Sequence, residues 1–385
     1  HRPVALLCPA VKIQERLLLP YLTESLDIPV FQHGFRKEHS TISALSDFNQ
    51  QVTNGFNEKL STKPDRTVLL QIDLSKAFDM VNHDKLIKDL DESALPPSLK
   101  RWFSCYLRGR QSKVNFRNHL SKGRNVRVGV PQGAVTSPIL FNFYLRNLPR
   151  PPDNVQVIQY ADDISIYTSG TNIEDMTNRI NKYAEEVISF LAERELKVSP
   201  EKSTTTLFTP DTREVYIHPQ VILNGQLVPL ERNPKLLGVI YDPMFTFSKH
   251  VTTTVDKAKK KINIMKSLAG TSWGADKETL VLTYKSIVRI GSEYGVPIWG
   301  PIISTANWTK LQTVQNQGLK IATGNHVMAS KDHIHQETKI LPLKEHGDLL
   351  TKQFHLNCHL PGHPGNKHLY KPAQPRSHKP TARKY

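Results

Sequence analysis

The feature that most constrains the fold is a pair of apolar segments separated by only three residues. Val155–Tyr160 and Ile164–Tyr167 are predicted strands, and the link between them is Ala161-Asp162-Asp163. So short a link predicts a β-hairpin with carboxylates at its tip. Another apolar run, Val68–Ile72, predicts a buried strand that ends directly before Asp73. If this strand neighbours the hairpin in one sheet, the carboxylates can converge.

Converging carboxylates have a specific chemical meaning. They repel one another, and burial raises that cost. A divalent cation removes the repulsion, and a few hard oxygen ligands with room for water and phosphate suit Mg²⁺. Two such ions can activate a hydroxyl and stabilise the leaving pyrophosphate in nucleotidyl transfer. Alone, an Asp-Asp turn is a common structural feature, so this interpretation depends on the combination with Asp73.

The remaining pattern is mixed up to about residue 242 and mainly helical afterwards. The predicted helices cover 13–26, 98–107 and 137–148, one follows Asn172 as its cap, and others begin at Ser248 and near Asp276 and Ser304. The predicted strands lie near 204–208, 216–223 and 236–241, and a hairpin pairs Val114 and Phe116 with Val126 and Val128. This order predicts an α+β fold in which helices back an antiparallel sheet and a helical lobe follows.

The charge balance indicates a polyanionic partner. The chain has 51 basic and 35 acidic residues, a formal net charge of +16, and Lys and Arg neutralise phosphates in salt-dependent binding. An acidic membrane surface and plain solubilising charge are the alternatives. No apolar run is long enough for a transmembrane helix, and neither terminus carries a basic amphipathic anchor. We therefore expect no membrane partner.

The cysteines favour a reducing compartment. Cys8, Cys105 and Cys358 are odd in number and widely spaced, so they cannot form a disulfide framework. Cys358, His359, His363 and His368 have a loose spacing without a CxxC pair, which argues against a zinc site. Since the chain begins at His1 and its first methionine is Met80, we interpret it as a fragment of a longer polyprotein.

Seven segments resemble, in order, the sequence blocks of reverse transcriptases. They are Arg2–Leu7 (motif 1), Gln32–Arg36 with Ser40-Thr41 (motif 2), Asp73–Asp79 (motif A), Gly129–Gly133 with Ser137-Pro138 (motif B), Tyr160–Asp163 (motif C), Leu196–Lys202 (motif D) and Leu236–Val239 (motif E). The sequences of these blocks are similar to those of the enzymes of non-LTR (LINE-type) retrotransposons, nearest the jockey-like group. Motif B departs mildly from the usual pattern at Ala134 and Thr136.

The resemblance implies a right-hand polymerase fold with an antiparallel palm sheet, partial fingers and a helical thumb. The implied divisions are a reverse transcriptase domain at 1–242 (partial fingers 1–64, palm 65–242 with a finger/palm insertion at 96–150), a thumb at 243–325 and an extension at 326–385. The basic, Pro- and His-rich composition of the tail from Asn366 onward predicts disorder.

The resemblance also assigns the reacting groups. Asp73, Asp162 and Asp163 would be catalytic carboxylates that bind two Mg²⁺ ions, with Mn²⁺ as the alternative metal. The backbone carbonyl of Leu74 would be a further metal ligand. Lys202 would lie near the pyrophosphate as a cation or general acid.

Four further residues would contact the substrates. Phe78 would be an aromatic steric gate that leaves no room for a ribose 2′-hydroxyl, so it favours a DNA product. Gln132 would contact the incoming nucleotide or the template base, and Gly133 would let the backbone approach the duplex closely. Arg36 would hold the triphosphate, because a guanidinium suits bidentate phosphate contact.

The implied function is RNA-directed DNA polymerisation, which extends a DNA 3′ end on an RNA template. Its partners would be an RNA template, a DNA primer and dNTPs, with an endonuclease on an upstream part of the polyprotein and action in the nucleus. The alternatives are a group II intron or retron-type enzyme and a catalytically silent remnant that binds nucleic acid. Phe78 and Ala161 argue against a viral RNA polymerase.

Overall fold

The computed structural model describes residues 4–57, 64–270 and 273–366. These residues form two compact units. The first combines the described residues of 1–40 with 65–207 and 217–231, and the second combines those of 41–64, 208–216 and 232–385. Nearly all of the predicted basic tail lies outside the described residues, as do Arg2, Pro3 and His368. The proposed boundaries of fingers, palm, thumb and extension stay predictions.

The helices in chain order are α1 (Pro9–Ser25), α2 (Thr41–Asn57), α3 (His83–Glu92), α4 (Pro97–Leu107), α5 (Ser137–Tyr144), α6 (Ile173–Glu193), α7 (Ser248–Leu268), α8 (Lys277–Thr283), α9 (Ile290–Glu293), α10 (Val296–Trp299), α11 (Thr305–Thr323), α12 (Lys331–Thr338) and α13 (Leu343–Cys358). Ala77–Asp79 form a 3₁₀ turn, and Tyr284–Arg289 form a π-helical segment. None of these helices is long and apolar enough to cross a lipid bilayer.

The strands are β1 (Arg66–Ile72), β2 (Leu74–Ser75), β3 (Gln111–Ser112), β4 (Asn115–Phe116), β5 (His119–Leu120), β6 (Arg124–Asn125), β7 (Gln156–Tyr160), β8 (Asp163–Gly170), β9 (Lys197–Val198), β10 (Thr204–Phe208), β11 (Ile222–Leu223), β12 (Gln226–Leu227), β13 (Lys235–Leu236) and β14 (Val239–Ile240).

A four-stranded sheet forms the centre of the first unit. Its strand order is β10-β1-β8-β7, and β8 is antiparallel to both β1 and β7. Helix α6 contacts β1 and β8 and contributes Met176, Ile180 and Val187 to the buried core. This arrangement confirms the predicted α+β class and the antiparallel sheet backed by helices.

Local signals account for the helix that follows the central hairpin. The side chain of Asn172 accepts from the backbone N–H groups of Glu174 and Asp175, at 2.9 and 3.4 Å. These bonds satisfy two of the N–H groups that lack partners at a helix start. The predicted cap is therefore confirmed.

Several predicted elements differ in the structure. The strand predicted at 216–223 is limited to Ile222–Leu223, since Pro219 has no N–H for a ladder. The helix predicted at 137–148 ends at Tyr144. The hairpin predicted around Val114 and Phe116 does form, but with other partners: Phe116 pairs with His119 and Ser112 with Arg124. The chain turns at Arg117 and Asn118, which both have positive φ.

The second unit contains a helical array and a cluster of buried aromatic rings. Helix α7 packs against α11. Phe48 of α2 lies 5.4 Å between ring centroids from both Phe208 and Tyr241. The predicted strand at 236–241 is instead a short hairpin of β13 and β14, and its turn residues Leu237 and Gly238 both have positive φ. Only glycine adopts this conformation at little cost.

His250 of α7 gives this unit a pH dependence. Its Nδ1 accepts the N–H of Ile240 at 3.2 Å, and burial, aided by Lys257, lowers its pKa from 6.5 to about 4. The unfolded chain therefore binds more protons than the folded chain between pH 4 and 6.5. Stability should be complete above about pH 6.5 and should fall by about 2 kcal/mol at pH 5.

Urea unfolding at pH 7 and pH 5, followed by circular dichroism, measures this loss. His250→Gln removes the titrating group and should flatten the difference between the two pH values. His355 is exposed on α13, so His355→Gln is the matched control and should retain the full difference. Equal pH dependence in the wild type and His250→Gln would contradict the assignment to His250.

Candidate active site

The strand register brings the predicted carboxylates to one end of the sheet. Ile72 is the last residue of β1 and pairs with Ile164 of β8. Asp73 therefore directly follows β1 at the end of the sheet where β8 begins with Asp163. Tyr160 pairs with Asp163, so the link is two residues, Ala161 and Asp162, and Asp163 begins β8. Strand pairing thus leaves the three aspartates at the same end of the sheet.

The turn that carries Asp162 is held in a strained conformation. Ala161 has φ 56°, a region that residues with a Cβ rarely occupy. Its N–H donates to Oε1 of Gln32 at 3.0 Å. Gln32 is fully buried, and the same oxygen accepts the N–H of Gly34 at 2.8 Å. The buried amide therefore fixes the turn and compensates part of its strain.

The segment around Gln32 lies along the free edge of β7. His33 N–H donates to Gln159 O at 2.8 Å, and Gln159 N–H donates to Phe31 O at 2.9 Å. Asn142 of α5 donates from Nδ2 to Gly34 O at 2.7 Å. Sequence reasoning did not identify the supporting roles of Gln32 and Asn142. The available signal was the motif 2 resemblance, which includes Gln32.

The other side of Asp73 is tied to the segment that contains Lys202. Ser203 Oγ accepts the Asp73 N–H at 3.1 Å, and Ser199 N–H donates to Asp73 O at 3.0 Å. Leu74 pairs with Val198. Lys202 lies in the turn between the two serines and is exposed. The structure therefore anchors the backbone of this turn beside Asp73, and the role of Lys202 stays a prediction.

Phe78 has a rigid support. Its ring stacks on Phe141 of α5, with centroids 4.3 Å apart and an interplanar angle of 15°. The Phe78 side chain is half-buried, so part of the residue remains accessible. A ring with a stacked partner behind it cannot easily move aside. This is a suitable property for a steric gate, a role that stays a prediction.

The motif B segment lies beside Phe78. Val130 N–H donates to Phe78 O at 2.8 Å, and Gln132 Nε2 donates to Asp79 Oδ1 at 2.9 Å. Gly129 has φ +89°, and a Cβ there would lie 2.8 Å from Asp79 O. Glycine is required because both the conformation and the space exclude a side chain. The segment that holds Gln132 is thus fixed to motif A.

Gly133 is exposed and has φ +114°. A Cβ there would lie 3.0 Å from the carbonyl oxygen of Ala5, and the Ala5 N–H donates to Gln132 O at 2.7 Å. The close neighbour of Gly133 in the structure is therefore the N-terminal segment. Its predicted approach to a duplex stays a prediction.

A buried carboxylate that sequence reasoning missed supports the same loop. Glu15 of α1 is fully buried. It accepts the Val135 N–H and the Tyr106 hydroxyl, both at 2.6 Å. Burial and the carboxylate of Glu15 raise the pKa of Tyr106. No sequence pattern marked Glu15, because its partners lie far away along the chain.

Arg36 is engaged with its own loop. Its Nη1 donates to Pro29 O at 2.8 Å and to Gln32 O at 3.2 Å. Burial lowers the pKa of Arg36, partly offset by Asp27. The guanidinium thus holds the segment that carries Gln32, and its predicted contact with a triphosphate stays a prediction.

The donor chemistry of the strand ends suits a hard cation. In residues 4–57, 64–270 and 273–366, no group of three or more His, Cys, Asp or Glu side chains is placed to hold a metal ion. Asp73, Asp162 and Asp163 therefore stay predicted ligands. Mg²⁺ is usually bound by one or two carboxylates together with substrate phosphates. Carboxylates gathered at a sheet end fit that mode of binding.

Comparison with known proteins defines the class. The family model described as reverse transcriptase (RNA-dependent DNA polymerase) matches residues 1–241. The chain belongs to this family. Membership implies, in general terms, a divalent metal ion and an RNA template, and it agrees with the order of sequence blocks that begins before β1 and ends at β14.

Similar proteins come from mobile elements of flies. A probable RNA-directed DNA polymerase from transposon BS of Drosophila melanogaster is 27% identical over 361 residues, which are 90% of this chain and 38% of that protein. The RNA-directed DNA polymerase from mobile element jockey of Drosophila funebris is 28% identical over 92% of this chain and 39% of its own length. The chain thus spans about two fifths of these relatives.

A solved structure is also similar at a distance. The telomerase of Candida tropicalis, solved with a fragment of telomeric RNA, has a TM-score of 0.40 and 12% identity. The match covers 86% of this chain and 57% of the telomerase chain. This likeness is too distant to inform the site.

Proposed function

We propose that this chain is the polymerase part of a non-LTR retrotransposon protein and extends a DNA 3′ end on an RNA template. The observation that supports the proposal is the register of β1 and β8, which brings the end of β1, directly before Asp73, to the start of β8 at Asp163, with Asp162 in the adjoining turn. Membership of the reverse transcriptase family supports nucleotidyl transfer as the reaction that these carboxylates would serve.

In this proposal Asp73, Asp162 and Asp163 hold two Mg²⁺ ions, with Mn²⁺ as the alternative, and the carbonyl of Leu74 is a further ligand. The bound ions would activate the primer 3′-hydroxyl and stabilise the leaving pyrophosphate. Lys202, on the turn anchored to Asp73, would supply a cation or proton to the pyrophosphate. The ordered turn at Ala161 keeps the carboxylate of Asp162 in position before substrate binds.

The substrates are an RNA template, a DNA primer and dNTPs. Gln132, which donates to Asp79, would contact the incoming nucleotide or the template base, and Gly133 would allow close approach of the duplex. The remaining donors of Arg36 would contact the triphosphate. The net charge of +16 favours binding to nucleic-acid phosphates. We also propose that the endonuclease of such an element lies upstream in the polyprotein.

Phe78 should select deoxyribonucleotides. Phe78→Val removes the ring that stacks on Phe141 and would open space beside the sugar. We expect the preference for dNTP over NTP to fall about tenfold to a hundredfold, since small changes in a pocket alter discrimination by such factors. Single-nucleotide addition with each substrate measures the ratio.

Phe190 of α6 is a half-buried phenylalanine in the same unit, so Phe190→Val is the matched control. The control should keep the wild-type ratio. An unchanged ratio in Phe78→Val would remove Phe78 from the proposed gate and leave the choice of sugar to another residue.

Primer extension tests the proposed function. The purified chain is incubated with an RNA template, a DNA primer, dNTPs and Mg²⁺. We expect DNA product that a chelator abolishes and that ribonucleotides do not replace. Absence of product from a folded chain that binds the hybrid in a salt-dependent way would overturn the proposal and indicate a catalytically silent nucleic-acid-binding remnant.

A further inference from the structure

An exposed β-hairpin extends from the first unit between α4 and the motif B segment. Gln111 pairs with Asn125 and Ser112 with Arg124 at its base. Near the tip, Asn115 pairs with Leu120 and Phe116 with His119. Every residue from 111 to 125 is exposed. This two-stranded element therefore buries little of its own surface, so folding alone does not explain its composition.

The composition is strongly basic. Residues 108–127 contain no acid and seven basic side chains, namely Arg108, Arg110, Lys113, Arg117, Lys122, Arg124 and Arg127. Arg108 pairs with Asp84 at 3.1 Å. The five basic side chains from Lys113 to Arg127 form no ion pair with a carboxylate of the described residues. An unneutralised cluster of this kind attracts a polyanion.

The hairpin tip is apolar as well as basic. Val114, Phe116 and Leu120 are each about two thirds exposed, at 68%, 67% and 68%. The guanidinium of Arg117 lies 5.3 Å from the Phe116 ring centroid. Aromatic rings interleaved with cations are typical of surfaces that bind single strands, where bases stack and phosphates pair with Lys or Arg. Duplex bases offer no free faces for such stacking.

The hairpin is connected directly to the candidate active site. Val128, which directly follows Arg127, forms a bridge with Asn82, and the Val130 N–H donates to Phe78 O. Gln132 lies six residues further along the chain than Val126 at the hairpin base, a span of at most about 22 Å. A strand held by the hairpin therefore lies within reach of the site.

We propose that the hairpin at 110–126 is a binding element for single-stranded RNA, with Phe116 as a stacking platform and Lys113 and Lys122 as phosphate contacts. The choice of RNA rests on the proposed function, because the strand that such an enzyme copies is RNA. The hairpin holds unpaired template next to the site and would add affinity without base-specific contacts.

Fluorescence anisotropy with a labelled, unstructured RNA 20-mer tests the proposal on the whole chain, without primer or nucleotide. In Lys113→Gln/Lys122→Gln, the slope of log K against log salt should become shallower by about 1.4, about 0.7 for each lost phosphate contact. Phe116→Ala should weaken binding about tenfold at every salt concentration. All three residues are exposed, and thermal melts confirm folding.

The matched control is Lys88→Gln/Lys182→Gln, which changes two exposed lysines on α3 and α6 and should keep the wild-type slope. The proposal would be overturned if the salt slope became equally shallow in both double variants and Phe116→Ala bound RNA like the wild type. It would also be overturned if the hairpin variants bound RNA normally but lost binding to vesicles of anionic lipid or changed their oligomeric state.

Failure of the hairpin proposal is distinguishable from failure of the polymerase proposal. If the chain extends primers but the hairpin substitutions leave its RNA binding unchanged, only the hairpin proposal is overturned. Hairpin-dependent RNA binding by a chain that extends no primer would support the hairpin and overturn the polymerase.

Discussion

Asp162→Asn should reduce RNA-templated nucleotide addition by about 10³-fold or more while leaving hybrid binding unchanged. The amide keeps the size of the side chain but removes the charge that binds a cation. Loss of one preorganised electrostatic contact to a reaction centre typically costs 10²–10³-fold, and a metal site loses both metal affinity and orientation. Single-turnover addition at saturating hybrid measures the effect on the chemical step.

Asp91→Asn is the matched control for this change. Asp91 is exposed on α3, so its substitution removes the same charge from the chain at an exposed helix position. The control should extend primers at the wild-type rate. Comparable rates for Asp162→Asn and the wild type would contradict a catalytic role for the turn of the central hairpin.

Gly34→Ala should reduce activity about a hundredfold without contact with any substrate. A Cβ at this position would lie 2.6 Å from Ala161 N and 3.2 Å from Tyr160 C. Both neighbours are backbone atoms, and Gln32 and Asn142 enclose the site with buried hydrogen bonds. The turn must therefore shift, and displacement of a catalytic group by about 1 Å can cost 10²-fold.

Gly170→Ala provides the control within the same hairpin. At the far end of β8, an added Cβ would meet only the Met176 side chain, at 3.5 Å, an ordinary contact. Primer extension should be close to wild type in this variant. If Gly34→Ala were as active as Gly170→Ala, the segment around Gln32 would not be responsible for positioning Asp162.

The sequence predicts the central strands well, and the reason is their burial. The run before Asp73 and the two strands of the hairpin are rich in apolar residues that lie in the core, so their pattern reports their environment directly. The same pattern located the three carboxylates at strand ends. That these carboxylates lie at the same end of the sheet could not be predicted, because it depends on the register of β1 and β8, which are distant segments of the chain.

The supports of the site could not be predicted in this way. Glu15 contacts Val135, and Gln32 contacts Ala161, each across more than a hundred residues of sequence. A single buried polar side chain has no periodicity, and its partner is set by the tertiary fold. The register of the exposed hairpin could not be predicted for another reason. In an element without a buried face, the hydrophobic pattern specifies the register only weakly. Asn118 at its turn was the better signal.

Metal-directed cleavage tests the central claim, that the ends of β1 and β8 hold the catalytic metal. Fe²⁺ replaces Mg²⁺ in the complex of the chain with hybrid and dNTP, ascorbate and peroxide generate radicals at the bound ion, and mass spectrometry maps the backbone cuts. We predict cuts clustered near 73–75 and 160–163 that disappear in Asp162→Asn. Cuts elsewhere, or an identical pattern in the variant, would contradict the account.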